Sequence, residues 1–418
     1  MDIRRGLGGL GRAALPSMTL LRELTDQIVL DTVFEQAPIT RAEVAQVTGI
    51  SKTTVSEAVR RLEGAGLLLP AGAQTGRQGR VGTYYKVAAD AGFVLAASLD
   101  STEVRLTAAD LFGTPFHETS VPPAATGKPA DAAGQLRTMV RDAIAGSRGT
   151  RGPLLAVGLS VANPVDPGTS AVIPLPETPH PAGLFQPREA LAGVTDAPLL
   201  VENDVNLAAL AERWHGATGE AGSCAYVHIG AGMGMGLVIG DELVRGARGM
   251  AGEIGYLGGS HGRTDGRHGF ARAVAEGFAM GGTGSGAGSG TGTGTDGGTG
   301  GGAAGLRGPA AVEAARAILD RAAGGDPEAQ AVVEREGRTI GEAVAAVCAV
   351  VDPELVLLGG PIGAHPALLA PVRATVDALA PLAPRVETGT LGANATLRGA
   401  LALAVRRGRT DLWARANS

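Results

Sequence analysis

The chain has 418 residues, more than one ordinary core accommodates, so two or three domains are expected. Hydrophobic residues make up 44%, charged residues 18% and aromatic residues 3%, which fits a packed globular protein; the 66 glycines follow no collagen-like triplet. Two cysteines, Cys224 and Cys348, exclude a disulfide framework and a four-cysteine zinc site and fit a reducing, cytoplasmic setting, and the net charge of −5 hides a basic stretch near the N-terminus.

Residues 1–18 read as a flexible tail. Arg4 and Arg5 are followed by Gly-Leu-Gly-Gly-Leu-Gly-Arg, too broken for the apolar core of an export signal. Residues 19–88 read as helices followed by a hairpin. Leu20, Leu21, Leu24, Ile28, Val29 and Val33 recur at helical spacing. Thr40 and Glu43 have the spacing of a capping box, in which each side chain satisfies the other residue's backbone amide. A short helix is expected to Val47, a turn at Gly49, and a second helix opened by Ser51 or Lys52 with Val55, Val59 and Leu62 buried. Gly64 and Gly66 end it, and Leu67–Leu69 and Tyr84–Val87 read as strands around a polar loop.

From residue 91 the pattern becomes α/β. Phe93–Leu99, Val104–Leu111 and His117–Val121 read as consecutive antiparallel strands. Leu154–Ser160, Leu199–Glu202, Tyr226–Ile229 and Met235–Ile239 supply further strands. Residues 281–305 contain 14 glycines among 25 residues and nothing able to build a core, so a disordered insertion is expected. Helices follow at Ala310–Ala323 and Pro327–Val351, then a buried strand at Leu355–Leu358, then more helix to the C-terminus. The longest apolar run, Ala343–Val351, has nine residues, whereas crossing a membrane takes about 20.

Residues Ile39 to Leu62 have helix-turn-helix form. Ala45 is small where two helices cross, and Ile50 and Val55 hold the second helix on the first. Ser51, Lys52, Thr53, Thr54, Ser56 and Arg60 are the candidate DNA-contacting residues of that helix; short polar groups reach base edges or phosphates and the cations supply charge. The hairpin reads as a wing, with Arg77 and Arg80 at its tip placed for a minor groove or a phosphate. Between Ser51 and Val87, Lys52, Arg60, Arg61, Arg77, Arg80 and Lys86 stand against Glu57 and Glu63 only. Such a patch suits a polyanion. The expected partner is double-stranded DNA. One recognition helix covers a half-site, so a palindromic operator and a homo-oligomer, dimer or tetramer, are expected.

The remainder resembles the ROK family of bacterial sugar kinases and sugar-responsive regulators. The resemblance rests on Gly158-Leu-Ser-Val-Ala-Asn-Pro-Val-Asp-Pro167, Glu202-Asn-Asp-Val-Asn206, Gly230-Ala-Gly-Met-Gly-Met-Gly236, Arg245-Gly-Ala-Arg-Gly-Met-Ala-Gly-Glu-Ile-Gly255 and Asp352-Pro-Glu-Leu-Val-Leu-Leu-Gly-Gly360, in family order. It implies a two-lobed α/β fold of the actin and hexokinase kind over residues 91–418, and the winged helix in front is similar to the regulator branch. It also implies sugar contacts at Asn203, Asp204 and Glu253, and at Tyr256, which stands where the family has a His and would change the ligand chemistry. In family kinases the residue matching Asp204 is the general base on the accepting hydroxyl. Read without the family, Asp204 is a helix cap and Glu253 a solvated turn residue.

Three departures from the family pattern shape the expected function. The phosphate-cradling Asp-x-Gly-Gly-Thr is matched by Asp100-Ser101-Thr102-Glu103, without either glycine. The zinc-binding cysteine cluster is missing; His261, Asp265 and His268 are the alternative donors nearby and are read as solvated. Arg272 stands where the family has a later sugar-contacting Glu. The expectation is therefore a repressor of carbohydrate-related genes, without zinc or ATP as cofactor, whose ROK portion dimerises and senses a sugar or sugar phosphate. An active sugar kinase and a ligand-independent DNA-binding scaffold are the alternatives.

Overall fold

The computed structural model describes residues 18–73, 82–100, 103–175, 184–257, 278 and 309–416. Residues 1–17, Arg77 and Arg80, Ser101 and Thr102, His261, Asp265, His268 and Arg272, and the glycine-rich 281–305 lie outside these. Elements and counts below refer to the described residues.

The N-terminal pattern gives three helices, α1 (Met18–Gln36), α2 (Arg41–Thr48) and α3 (Lys52–Gly64). Thr40 and Glu43 form the capping box. The Thr40 hydroxyl accepts from the Glu43 amide at 3.3 Å, and the Glu43 carboxylate accepts from the Thr40 amide at 2.9 Å. Gly49, at φ 72°, closes α2 in a conformation that costs other residues a Cβ clash. The wing is β2 (Leu68–Ala73) paired antiparallel with β3 (Thr83–Val87), Leu68 opposite Val87. A strand not expected from sequence, β1 (Ile39–Thr40), pairs with the other edge of β3, Ile39 opposite Tyr85. Two residues carry no readable period; β1 exists because β3 offers an open edge there.

The first lobe is a five-stranded sheet of order β6-β5-β4-β7-β8, built from β4 (Phe93–Leu99), β5 (Val104–Asp110), β6 (Pro115–Val121), β7 (Leu154–Val161) and β8 (Leu199–Asn203). β4 to β6 form an antiparallel meander, and β7 and β8 run parallel to β4. Helix α4 (Pro129–Ser147) covers one face with Ala132, Leu136, Val140 and Ala143. Each fully buried leucine there contributes roughly 1.5–3 kcal/mol.

The second lobe has the order β11-β10-β9-β12-β13, from β9 (Ser223–Ile229), β10 (Met233–Ile239), β11 (Glu242–Leu243), β12 (Leu355–Gly359) and β13 (Arg385–Thr388). Helix α5 (Asp204–His215) packs on one face through Val205, Ala208, Ala209 and Leu210. Helices α6 (Pro309–Ala323), α7 (Pro327–Val351) and α8 (Pro366–Leu379) form the opposite layer with Ile318, Val344 and Val372. β13 adds a strand where only more helix was expected after Gly360. Arg-Val-Glu-Thr is too short and polar to announce a strand, and it is drawn in by its parallel pairing to β12.

The last helix, α9 (Ala395–Ala416), returns to the first lobe and covers the face that α4 leaves open, placing Ala400 and Ala404 against the sheet. The core of the winged helix is not separate from this lobe. Val29, Leu30, Val33 and Phe34 of α1 share one buried cluster with Val94, Leu111, Leu155, Ala404 and Leu412. No described helix is long and apolar enough to cross a membrane.

Candidate DNA-reading face and ligand cleft

Ser51 caps α3, its hydroxyl accepting from the Thr54 amide at 3.2 Å and lying 2.8 Å from the Thr54 hydroxyl. The Ser56 hydroxyl donates to the Lys52 carbonyl at 2.7 Å. Ser51, Thr54 and Ser56 thus also serve the helix itself, while Lys52, Thr53 and Arg60 are exposed. Lys86 is exposed on the wing. Arg61 is a correction to the basic patch: it turns inward, and its Nε donates to the Asp26 carboxylate at 2.8 Å, with a second contact from its terminal nitrogen. Arg41 likewise turns to Glu63 at 2.9 Å and lies 4.9 Å over the Tyr85 ring. These two cations lock α3 to α1 and to the wing.

The cleft is built at the carboxyl ends of the sheet strands, where α/β folds present ligands. At the β8 to α5 junction Asn203 is the N-cap. Its Oδ1 accepts from the Val205 and Asn206 amides at 2.9 and 3.2 Å, and its side-chain NH₂ donates to the Asn163 carbonyl at 3.3 Å. The cap is therefore Asn203, not Asp204. Asp204 is the first helical residue and accepts from the Val205 amide at 2.8 Å. Burial, with Asp100 adding repulsion, raises its carboxyl to about 6.

Glu253 comes to the same cleft from a loop. Gly252 sits at φ 85° with its Cα pressed on the Met235 carbonyl of β10, where any Cβ would overlap that oxygen. The Met235 amide donates to the Gly252 carbonyl at 2.8 Å. This contact fixes the next residue. Burial first, and the Asp204 charge second, push Glu253 up to about 7. Tyr256 stands three residues on and is 39% exposed.

Sequence reasoning passed over the brace behind these groups. Glu202, 4% exposed, accepts from Arg245 Nε at 2.6 Å and from the Asn206 side chain at 2.9 Å. It also accepts from the Asn203 amide at 3.0 Å. Glu202 and Arg245 stand in two of the family motifs; their pairing, with Glu202 buried and Arg245 partly exposed, identifies them as the frame of the cleft.

The Asp100 carboxylate itself accepts from the Glu103 amide at 2.9 Å, so a carboxylate occupies a backbone donor of the turn. His228 packs against both Gly230 and Gly360, so closely that a Cβ on either would stand 2.9 Å from its ring. Burial lowers its pKa to about 4. Cys224 and Cys348 are buried in β9 and α7 and are not available as metal ligands at the cleft. Among the described residues no three His, Cys, Asp or Glu side chains are gathered as a metal site.

Residues 99–407 match the family model for the ROK family, and residues 22–68 match that for a winged helix-turn-helix DNA-binding domain. The chain is 26% identical over 239 residues to a putative xylose repressor of Caldicellulosiruptor sp. (strain Rt8B.4), covering 57% of this chain and 59% of that one. It is 30% identical over 178 residues to N-acetylmannosamine kinase of Escherichia coli O139:H28, covering 42% of this chain and 53% of the kinase. The chain thus spans about three fifths or less of the length of these curated relatives. The fold is similar to a crystal structure described as a ROK family transcriptional regulator, homolog of E. coli MLC protein, with a TM-score of 0.69 at 18% identity over 95% of this chain and 98% of that one. A family model that spans most of the chain, over two sheets joined by crossing helices, establishes that this protein belongs to the ROK family.

Proposed function

We propose that the protein is a DNA-binding transcriptional repressor of carbohydrate-related genes. On this reading the winged helix binds an operator, and the two-lobed portion pairs subunits and senses a sugar or sugar phosphate between the lobes. The observation that carries the reading is the geometry of α3: Lys52, Thr53 and Arg60 stand exposed on a helix whose back is tied to buried Asp26. A helix so held presents fixed donors to a groove. Relatives named xylose repressor support the carbohydrate context. Asp204 and Glu253 supply hydroxyl acceptors, and their raised pKa values leave a protonated fraction near neutral pH that also donates. The test is fluorescence anisotropy on the DNA upstream of the protein's own coding sequence, with and without xylose, glucose, N-acetylmannosamine and glucose 6-phosphate. Salt-dependent, sequence-selective binding weakened by one sugar is expected. Binding indifferent to sequence would overturn the repressor reading, and selective binding indifferent to every sugar would favour a ligand-independent scaffold.

A second reading, sugar kinase, is favoured by one feature: Asp204 heads a helix in the cleft with a carboxyl raised toward the range of a general base. Phosphoryl transfer depends mainly on positioning and charge stabilisation. The turn after Asp100 lacks the family's two glycines and gives its Glu103 amide to the Asp100 carboxylate, which argues against such positioning. No ATP-dependent turnover above background is expected; turnover abolished by Asp204→Asn would establish the kinase.

A further inference from the structure

α9 touches α5 beside the cleft, the first-lobe sheet and α1 of the winged helix. At its first turn the Thr396 hydroxyl donates to the Asp204 carbonyl at 3.4 Å, and Ala395 is buried in the cluster that holds Val205. In its middle the contacts are backbone to backbone. A Cβ on Gly399 would overlap the Leu207 carbonyl of α5, and one on Gly158 of β7 would overlap the Ala400 carbonyl. Near its end the Arg409 Nε donates to the Leu111 carbonyl at 2.8 Å, and the guanidinium lies 4.4 Å over the Phe34 ring of α1. Phe34 also packs on Phe112 at 5.2 Å, and Leu412 enters the α1 core. Asp31, Glu35 and Asp110 supply the negative charge around Arg409. In its middle α1 holds Asp26, the partner of Arg61 on the recognition helix.

We propose that Arg409 is the positioning residue through which the ROK portion sets the orientation of the winged helix, with α9 as the rod that connects it to the ligand cleft. The proposal rests on the repressor reading for its regulatory meaning. From Thr396 to Arg409 the rod is about 20 Å long at 1.5 Å per residue. Backbone contacts at Gly399 and Gly158 leave no side chains to absorb a shift, so displacement of α5 on ligand binding moves α9 as a body. The polar and stacking contacts that carry this motion to α1 converge on Arg409. Its guanidinium both stacks on Phe34 and donates to Leu111, a combination a lysine ammonium does not reproduce.

The test uses the full chain as Arg409→Met, Arg409→Lys and Asp31→Asn; Asp31 is exposed, so its variant keeps the proposal testable should Arg409→Met fail to fold. Spin labels at Lys86→Cys on the wing and Glu118→Cys on the first lobe report the distance between the two bodies, the native cysteines being buried. Arg409→Met is expected to broaden that distance distribution and to weaken binding to the upstream DNA at least fivefold. Any effector response should fall to within twofold of none, while sugar affinity by calorimetry stays within twofold of wild type. Arg409→Lys should recover little, and Asp31→Asn should give an intermediate effect. A narrow, unchanged distribution with unchanged DNA affinity in Arg409→Met and Asp31→Asn overturns the proposal. If the wild-type chain binds no DNA, the repressor reading fails, and the distance distribution alone judges the positioning.

Discussion

The Asp26 carboxylate on α1 is 1% exposed, and it receives Arg61 from the back of the recognition helix, Nε to Oδ2 at 2.8 Å. An ion pair in this place contributes less to net stability than to register. Its Coulomb attraction is offset by desolvation, whereas loss of one partner strands a buried charge.

Asp26→Leu, which leaves no stranded carboxylate, is therefore expected to cost less stability than Arg61→Met, which does. For Arg61→Met the loss should be about 2–4 kcal/mol, discounted for the partial exposure of Arg61. Both variants should bind DNA at least tenfold more weakly, because α3 is no longer fixed. Thermal melts with anisotropy titrations on the same samples check this; equal affinity in a folded Arg61→Met variant would show that other packing holds α3.

Lys52 and Arg60 are exposed on α3. The double variant Lys52→Ala, Arg60→Ala is expected to weaken DNA binding strongly with little change in melting temperature. If each contacts a phosphate, the slope of log affinity against log salt should flatten by about one unit per contact. An unchanged slope and affinity would remove this helix from the interface.

The cleft carboxyls make stability depend on pH. Asp204 rises from 3.8 to about 6 and Glu253 from 4.5 to about 7. For a raised pKa the unfolded chain gives up its proton first, so the contribution is full below about pH 4 and is lost as pH rises through 6 to 7. His228, lowered from 6.5 to about 4, acts in the opposite sense, its contribution present above 6.5 and lost toward 4. Comparison with Asp204→Asn, Glu253→Gln cancels the histidine. The double variant should gain roughly 1–2 kcal/mol per site on wild type between pH 5 and pH 8, after discounting for solvent access. Parallel stability curves over that range would show that these carboxyls titrate normally.

Gly252 joins a positive φ to a close backbone approach. Gly252→Ala is expected to displace the Glu253 loop at a cost of about 1–3 kcal/mol from the backbone strain alone. Sugar affinity should fall at least tenfold while DNA affinity without sugar stays within twofold. Calorimetry and anisotropy separate the two effects, and retained sugar affinity would show that the loop is not part of the site.

Local patterns were readable because they depend on neighbours in sequence. The capping box at Thr40 and Glu43, the turn at Gly49, the Val55, Val59 and Leu62 stripe and the span Pro327–Val351 all follow from interactions within a few residues. The family motifs likewise marked Asp204 and Glu253, which the structure brings together in one cleft. Partner choice was not readable in this way. Arg61 counted toward the basic patch, and nothing local showed that Asp26, 35 residues away, claims it. Asn203, read as a sugar contact, also caps α5 through its oxygen, a role that the motif did not announce. β1 and β13 carry too few residues to declare themselves and exist because an edge was open. The junction of Arg409 with Phe34, across 375 residues, has no local signature. A side chain's neighbours are set by which elements pack together, and that packing is decided only when the whole chain buries its apolar surface.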